Sequence, residues 1–246
     1  MTSEVYLHGV IAASECGEVR SGAVRWITHG EVAALVSDAA GKRMASDALR
    51  KHWRVLEELA GRTTVLPVRF GTAMAGDRAV IDEFLAPSHD RLAASLASMA
   101  GKVQLTVKGV YEEGALLRGV VERTPAIARL RERVRGMPEA ASYYDRIRLG
   151  EMIAGAVERA READTARVLD RLGPLAVATV RESPSSVNSA VDAAFLVERD
   201  RVPEFGEAVT GLARELGDRV RIRFIGPLPP YSFAEQERTV EDGAWA

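Results

Sequence analysis

Residues 103–111 have the sequence V-Q-L-T-V-K-G-V-Y, in which apolar and polar side chains alternate. The apolar positions are Val103, Leu105 and Val107, and the polar positions are Gln104, Thr106 and Lys108. Because neighbouring side chains of an extended chain point to opposite faces, this pattern predicts a half-buried β-strand. Such a strand needs a sheet around it and a layer over its apolar face, so the flanking sequence decides the fold class.

The sequence before this strand predicts an α+β unit. β-branched and apolar residues separated by glycine predict strands over 5–11, 24–28, 32–36 and 65–70. Leucines and Trp53 recur at helical spacing, which predicts a helix over 46–60. A second helical pattern covers 77–100 and is divided by Pro87. The order β-β-β-α-β-α-β, ending in strand 103–111, resembles an elaborated ferredoxin-like domain.

The sequence after this strand predicts a second α+β domain that begins with helices. Thr124-Pro125 is a typical helix start, and a long apolar stripe predicts a helix over 143–172. Strands are predicted over 175–180, 191–197 and 220–225, with an amphipathic helix over 202–216. We therefore expect an N-terminal domain over 1–118, a C-terminal domain over 119–233 with a small β-β-α-β ferredoxin-like sheet, and a polar tail over 234–246.

Composition and motifs indicate a cytoplasmic protein without catalytic chemistry. The formal net charge is −2, and Cys16 is the only cysteine. We find no signal peptide, no apolar run of about 20 residues and no bulk charge that favours nucleic acid or a membrane. The four histidines lack metal-ligand spacing, and no phosphate-binding or nucleophile motif is present. We expect no metal, no cofactor and no enzymatic activity.

Two proline-containing segments are the candidate functional residues. The first is V-L-P-V-R-F-G-T over 65–72, in which Pro67 suggests a sheet edge and Phe70 is expected to pack on the core. The second is G-P-L-P-P-Y-S-F over 226–233. Its prolines are expected to hold the chain extended and to prevent further sheet pairing, with Tyr231 and Phe233 on one side. That side either packs on the protein, which we expect, or stays open as a binding lip.

The two segments resemble conserved motifs of the gas vesicle protein F/L family. The resemblance also includes His52-Trp53, Gly101-Lys102-Val103 and F-L-V-E-R-D over 195–200. Leu228 stands where many relatives have Trp, and Gln104 stands where an acidic residue often follows. The resemblance marks as structural or partner-binding the residues Leu66, Pro67, Arg69, Phe70, Gly71, Gly226, Pro227, Pro229, Pro230, Tyr231 and Phe233.

The resemblance implies a non-enzymatic accessory protein of gas vesicle assembly. Its expected partner is the small apolar shell subunit, which it would shield or position during nucleation or growth, and other accessory proteins are further candidates. One alternative is a small-molecule-binding protein on tandem ferredoxin-like domains, which requires a convergent polar pocket. A second is an RNA-binding module, which the negative net charge disfavours.

Overall fold

In a computed structural model of the chain, the described residues are 4–16, 24–38, 46–112, 114–184, 186 and 188–234. The predicted tail beyond residue 234 lies outside them. Two compact units comprise the chain: one contains Met1–Leu105, Phe195–Asp200 and Ile225–Ala246, and the other contains Thr106–Ala194 and Arg201–Phe224. We call them unit 1 and unit 2. This division differs from the one expected at residues 118 and 119, because compactness follows contacts in space rather than order along the chain.

The first sheet is built around strand β1. Its strands are β1 (Val5–Ala12), β2 (Arg25–His29), β3 (Val32–Asp38), β4 (Leu66–Pro67) and β5 (Ala73–Met74). The order is β2-β3-β1-β4, with β5 also pairing β1, and the pairs are antiparallel. The register of β1 against β3 shifts between Leu7 and Gly9. The strands predicted over 5–11, 24–28 and 32–36 are thus present. Of the strand predicted over 65–70, only Leu66–Pro67 joins the sheet, and Pro67 lies at its edge as expected.

Helices cover the first sheet. They are α1 (Ser46–Ala60), α2 (Asp77–Ala79) with a π-helical continuation over Val80–Leu85, and α3 (His89–Met99). Leu56 and Leu59 of α1 pack with Ile11 and Leu35 of the sheet in a buried cluster. The helical pattern over 77–100 is interrupted near Pro87 as predicted, because a proline ring cannot continue a regular helix.

The second sheet has the order β7-β8-β6-β9. Its strands are β6 (Lys102–Tyr111), β7 (Ala178–Arg181), β8 (Ser189–Glu198) and β9 (Val220–Leu228). The α+β class is therefore confirmed, whereas the ferredoxin-like assignment of each domain stays a prediction. One expectation is wrong: β6 was assigned to the N-terminal sheet, but it pairs with β8 and β9. Alternation of side chains identifies a strand without identifying its neighbours.

Strand β6 is buried more completely than its alternation predicts. Gln104 and Thr106, on the expected solvent face, are 4% and 5% exposed. The side-chain oxygen of Gln104 accepts a hydrogen bond from the backbone N–H of Ser232 at 2.9 Å. The expectation of an open face is therefore wrong, because a segment more than 120 residues later supplies the partner that water would otherwise supply.

Unit 2 contains the longest helix described. Its helices are α4 (Ala115–Arg123), α5 (Pro125–Val134), α6 (Glu139–Leu172) and α7 (Val202–Leu216). A core of Val120, Ile127 and Ala156 joins α4, α5 and α6. Helix α4 occupies the stretch that we took for a domain boundary. Helix α5 begins at Pro125 as predicted, and Thr124 before it makes no side-chain capping bond. Among the described residues, no helix combines the length and apolar character needed to cross a membrane.

Candidate functional site

The first proline segment is held against β1 at the edge of the first sheet. Leu66 and Pro67 pair with Val10 and Gly9, and the backbone N–H of Val68 donates to the carbonyl of His8 at 3.0 Å. A Cβ atom on Gly9 would lie 2.8 Å from the Leu66 carbonyl oxygen. Glycine is therefore needed at this position, and the edge location tolerates a proline that cannot donate a ladder hydrogen bond.

The second proline segment differs from the extended lip that its prolines predict. Strand β9 continues through Gly226 and Pro227 to Leu228, so the prolines do not prevent sheet pairing. Residues 231–234 then form a helical turn, with the N–H of Ala234 donating to the carbonyl of Pro230 at 2.8 Å. Proline at an edge strand and at the first position of a helical turn loses no required donor. Because of this turn, Tyr231 and Phe233 do not project side by side from an extended chain.

Packing of the second segment agrees with the expectation that its aromatic side chains lie against the protein. Phe233 is 4% exposed and Tyr231 is partly buried. Pro229 and Pro230 are also buried. The open-lip alternative required both aromatic side chains to be exposed, and the structure shows neither in that state.

Both proline segments meet at His52 of helix α1. The Tyr6 hydroxyl lies 3.1 Å from His52 Nδ1, and the Tyr231 hydroxyl lies 3.4 Å from His52 Nε2. The Phe70 ring is 5.6 Å from the His52 ring, edge to face. A neutral imidazole has one donor and one acceptor nitrogen, so one tyrosine donates to it and the other accepts. We call Tyr6, His8, His52, Phe70 and Tyr231 the aromatic–histidine cluster.

The two histidines of this cluster are buried without a charged partner. His8 stacks on His52 at 5.4 Å between ring centroids, and His8 Nε2 lies 3.0 Å from the Ser37 hydroxyl oxygen. Burial lowers the pKa of His8 to about 4, with further lowering from His52 and Lys51. Burial also lowers the pKa of His52 to about 4. Both imidazoles are therefore neutral at pH 7, which suits a structural pair.

Phe70 and its neighbours Arg69 and Gly71 lie at the solvent-facing side of the cluster. Phe70 is half-buried, and its ring contacts the rings of Tyr6 and His52 edge to face. Gly71 has φ +92°, and its N–H donates to the Tyr6 hydroxyl at 3.2 Å. Burial raises the pKa of Tyr6 despite this hydrogen bond. Arg69 is exposed and stands outside the aromatic contacts.

An exposed apolar ridge lies beside the cluster on helix α1. Leu49 and Trp53 are 40% and 37% exposed, and they lie one turn apart on the helix. The Trp53 ring is 4.8 Å from the Tyr231 ring. We call Leu49, Trp53 and the partly buried Tyr231 beside them the apolar ridge. Helical spacing placed Leu49 and Trp53 in one stripe with the buried Leu56 and Leu59, so periodicity alone does not separate the ridge from the core.

Tyr6, His8 and His52 were not predicted as site residues, although His52-Trp53 was part of the family pattern. Tyr6 and His52 are 46 residues apart, and Tyr231 and His52 are 179 residues apart. The one available sequence signal was the presence of aromatic side chains in both proline segments. No spacing rule connects residues so distant, because chain reversal and sheet pairing bring them together.

The chemistry of the described residues gives little support for catalysis or ligand capture. Among them, no group of three or more His, Cys, Asp or Glu side chains is placed to hold a metal ion. Unit 1 has a cavity of about 520 Å³ beside helix α3, with Glu15, Glu31 and Ser14 in a lining that is otherwise mainly alanine. The Thr63 hydroxyl already donates to Glu15. Such a lining offers few directed hydrogen bonds to a small molecule in this cavity.

Comparisons with known proteins agree along nearly the whole chain. The family model described as gas vesicle synthesis protein GvpL/GvpF matches residues 4–235. Gas vesicle protein F of a Streptomyces species is 34% identical over 213 residues, which cover 86% of this chain and 88% of that protein. Gas vesicle protein F of Microcystis aeruginosa is 28% identical and covers 75% of each chain.

Two solved structures share the fold. The crystal structure of the gas vesicle protein GvpF from an Anabaena species superposes with a TM-score of 0.83 at 24% identity, covering 94% of this chain and 98% of that one. GvpF from Microcystis aeruginosa superposes with a TM-score of 0.78 at 25% identity, covering 95% and 99%.

Proposed function

Because the chain belongs to the gas vesicle synthesis protein GvpL/GvpF family, we propose that it binds the small apolar shell subunit of gas vesicles and shields or positions it during nucleation or growth. The family comprises accessory proteins of gas vesicles and is not a family of known enzymes. A subunit with large apolar faces aggregates when those faces are open to water, so its assembly benefits from a protein that covers them.

The observation that supports this proposal is the apolar ridge of unit 1. Leu49 and Trp53 expose large apolar side chains although the same helix buries Leu56 and Leu59. Tyrosine and tryptophan dominate the binding energy of protein interfaces, because they bury a large area with little loss of side-chain freedom. An apolar partner would cover the exposed parts of Leu49 and Trp53 and extend onto Tyr231.

The surroundings of the ridge favour a preorganised surface. The Tyr231 hydroxyl lies 3.4 Å from His52 Nε2, and the backbone N–H of Ser232 donates to the side-chain oxygen of Gln104 at 2.9 Å. Residues that are already ordered lose less entropy on binding than mobile ones, so the same contact area gives higher affinity. The motif residues therefore support the ridge, whereas Leu49 and Trp53 provide the open contact surface.

The test replaces Leu49 and Trp53, the two exposed residues of the ridge, by serine. We expect Leu49→Ser/Trp53→Ser to weaken co-purification of the co-expressed shell subunit by at least about tenfold, as removal of interface anchors does. The matched control is Leu117→Ser, which changes a helical leucine of unit 2 that is 48% exposed. Both proteins are first compared with the unchanged protein by circular dichroism and thermal melting. Undiminished capture by the folded double variant would contradict the proposal.

Two further expectations concern the dependence of this contact on salt and the compartment in which it forms. Contact through apolar side chains should depend weakly on salt, because screening acts mainly on exposed charge pairs. We place the encounter in the cytoplasm, where the shell subunit is synthesised, and include other gas vesicle accessory proteins as further partners. Nucleic acid and membranes are not part of the proposed role.

A further inference from the structure

The described part of the chain ends beside the apolar ridge. The Trp53 ring is 4.8 Å from the Tyr231 ring. Residues 231–234 form a helical turn, in which the N–H of Ala234 makes a backbone hydrogen bond of 2.8 Å. Because three residues of helix rise by about 5 Å, the backbone of Ala234 lies about one turn from that of Tyr231. The segment that follows Ala234 therefore begins close to the ridge.

Basic side chains border the ridge on helix α1. Arg50 and Arg54 are exposed, and each directly follows an exposed ridge residue along the chain. At about 100° per residue they lie beside Leu49 and Trp53 on the helix surface, and side chains three positions apart, such as Arg50 and Trp53, are neighbours. The acidic residues 57–58 lie nearer the C-terminal end of the helix. This part of α1 therefore offers an apolar strip with a positive border, which suits an apolar group accompanied by carboxylates.

The sequence after Ala234 has the complementary chemistry. Residues 235–246 are E-Q-E-R-T-V-E-D-G-A-W-A, with four acidic residues, one basic residue and one aromatic residue, Trp245. We call them the acidic segment. They lie outside the described residues, and the gas vesicle family model matches this chain only as far as residue 235. The acidic segment therefore combines an aromatic side chain with excess negative charge, and nearly all of it lies beyond the region that the family model covers.

The ridge is within reach of Trp245. Trp245 follows Ala234 by 11 residues, and a chain of this length spans at most about 36–40 Å. Leu49 and Trp53 are one helical turn apart, and Trp53 contacts Tyr231. The ridge and the acidic segment both belong to unit 1. A segment tethered next to its site has an effective concentration on the order of millimolar, so even a weak contact is largely occupied.

We propose that the acidic segment binds the apolar ridge of its own chain, with Trp245 on the ridge and the carboxylates beside Arg50 and Arg54. The acidic segment then covers the surface that the shell subunit contacts, and the subunit has to displace it. The contact within the chain is independent of the proposed function, whereas the competition rests on it. The inference therefore adds a regulation of the proposed binding site.

The acidic segment fits the ridge better than a second copy of the chain does. A two-fold contact between ridges brings the same residues of both copies together. Arg50 and Arg54 of one copy would then lie near the arginines of the other, and like charges across an interface weaken binding. The acidic segment brings the opposite charge, and its tether reduces the translational and rotational freedom that is lost when two molecules associate.

The first experiment follows Trp245 in the full chain, which contains three tryptophans. Isotopically labelled tryptophan gives separate indole N–H signals in an NMR spectrum, and Trp26→Phe, Trp53→Phe and Trp245→Phe assign them. We expect Leu49→Ser to shift the Trp245 signal toward the position of tryptophan in an unfolded peptide, because the contact is lost. The control Leu117→Ser should leave the signal in place. A Trp245 signal that is identical in the unchanged chain and in Leu49→Ser would overturn the proposal.

The charge contribution is measured with the same signal. Arg50→Glu/Arg54→Glu should shift the Trp245 signal toward the unfolded position. Arg62→Glu/Arg91→Glu, at two exposed arginines of unit 1 that do not border the ridge, should not. All variants are first compared by circular dichroism and thermal melting. Equal shifts in the two arginine variants would reject the specific border.

Dilution of the unchanged chain separates a contact within one molecule from a contact between two. The Trp245 signal should stay in place when the protein is diluted about tenfold, because the effective concentration of a tethered segment does not depend on protein concentration. A signal that moves toward the unfolded position on dilution would assign the contact to the acidic segment of a second copy and would overturn the proposal.

The second experiment measures competition with the shell subunit. Trp245→Ser should raise capture of the co-expressed subunit by about threefold or more, because a larger fraction of ridges is then open. Thr239→Ser, a conservative change in the acidic segment, is the matched control and should leave capture unchanged. Unchanged or reduced capture by Trp245→Ser would overturn the regulation. If Leu49→Ser/Trp53→Ser retains full capture while the Trp245 signal still responds to Leu49→Ser, the proposed function fails and the contact within the chain stands.

Discussion

Gly226 has a backbone conformation that other residues rarely adopt. Its φ is +146°, and an added Cβ would lie 2.7 Å from Leu105 Cδ2 and 2.9 Å from the Gln104 carbonyl oxygen. We expect Gly226→Ala to lower the free energy of unfolding by about 1–3 kcal/mol, since both strain and a backbone clash result. Urea denaturation monitored by circular dichroism measures this change in the free energy of unfolding.

The control for Gly226 is a glycine without these constraints. Gly211 lies in helix α7, and an added Cβ would meet no atom within 4 Å. Gly211→Ala should leave stability unchanged or raise it by about 0.5–1 kcal/mol, because alanine favours the helix. Equal stability of Gly226→Ala and the unchanged chain would show that the backbone at residue 226 shifts enough to remove the strain and the clash.

The stacked pair of His8 and His52 makes stability depend on pH. Each has a folded-state pKa of about 4, below about 6.5 in the unfolded chain. The unfolded state therefore binds more protons between these values, and the stabilising effect present above pH 6.5 is lost as pH falls toward 4. We expect a loss of at most about 3 kcal/mol per histidine, measured by urea denaturation across this range.

Carboxylates also titrate in part of this pH range, so the histidine contribution is taken from variants. His8→Gln/His52→Gln should flatten the dependence of stability on pH between about 6.5 and about 5. His29→Gln, at a histidine outside the cluster that is only half-buried, should retain it. An unflattened profile for the double variant would show that the buried imidazoles are not the groups that take up protons.

At the scale of elements, one carboxylate joins helix α6 to β6 and to the turn before β9. Asp164 accepts a hydrogen bond from the Tyr111 hydroxyl at 2.6 Å and two from Arg219 at 2.5 and 2.8 Å. Burial raises the pKa of Asp164, but the hydrogen bonds from Arg219 and Tyr111 outweigh it, so the net pKa is lowered. The Asp164 carboxylate therefore stays charged although the residue is only 5% exposed.

Removing this carboxylate should destabilise the protein strongly. Asp164→Ala leaves the Arg219 guanidinium without its acceptor, and loss of one partner of a buried pair costs about 3–5 kcal/mol. Glu162→Ala is the matched control, because Glu162 is on the same helix and pairs with Arg181 through two hydrogen bonds at the solvent-exposed surface. Thermal melting should separate the two variants clearly, and similar melting temperatures would contradict the role of Asp164.

For the whole molecule, we expect vesicle formation to depend on this chain. In a vesicle-forming host without a second family member, deleting the gene should reduce or abolish vesicles, because the proposed partner of the apolar subunit is then missing. Complementation with the unchanged gene should restore the yield counted by electron microscopy, whereas Leu49→Ser/Trp53→Ser should not. Full yield without the gene would contradict an assembly role.

Helices were the most predictable elements of this fold. The apolar stripes of α1 and α7 were recovered with their bounds, and α6 begins four residues earlier than expected. The period of a helix is a local property, since residues three or four apart already share a face. Helix α4 was missed because its short sequence lies in a region that we took for a boundary.

The sequence by itself determined the α+β class, most strands and helices, and the two proline segments that carry the family resemblance. Tertiary structure alone decided that β6 lies between β8 and β9, that Gln104 is covered by Ser232, and that both proline segments meet at His52. The physical reason is the separation along the chain of the residues involved. Periodicity and turn residues report on neighbours within a few positions, whereas strand partners and the burial of a face depend on contacts between residues that only the folded chain brings together.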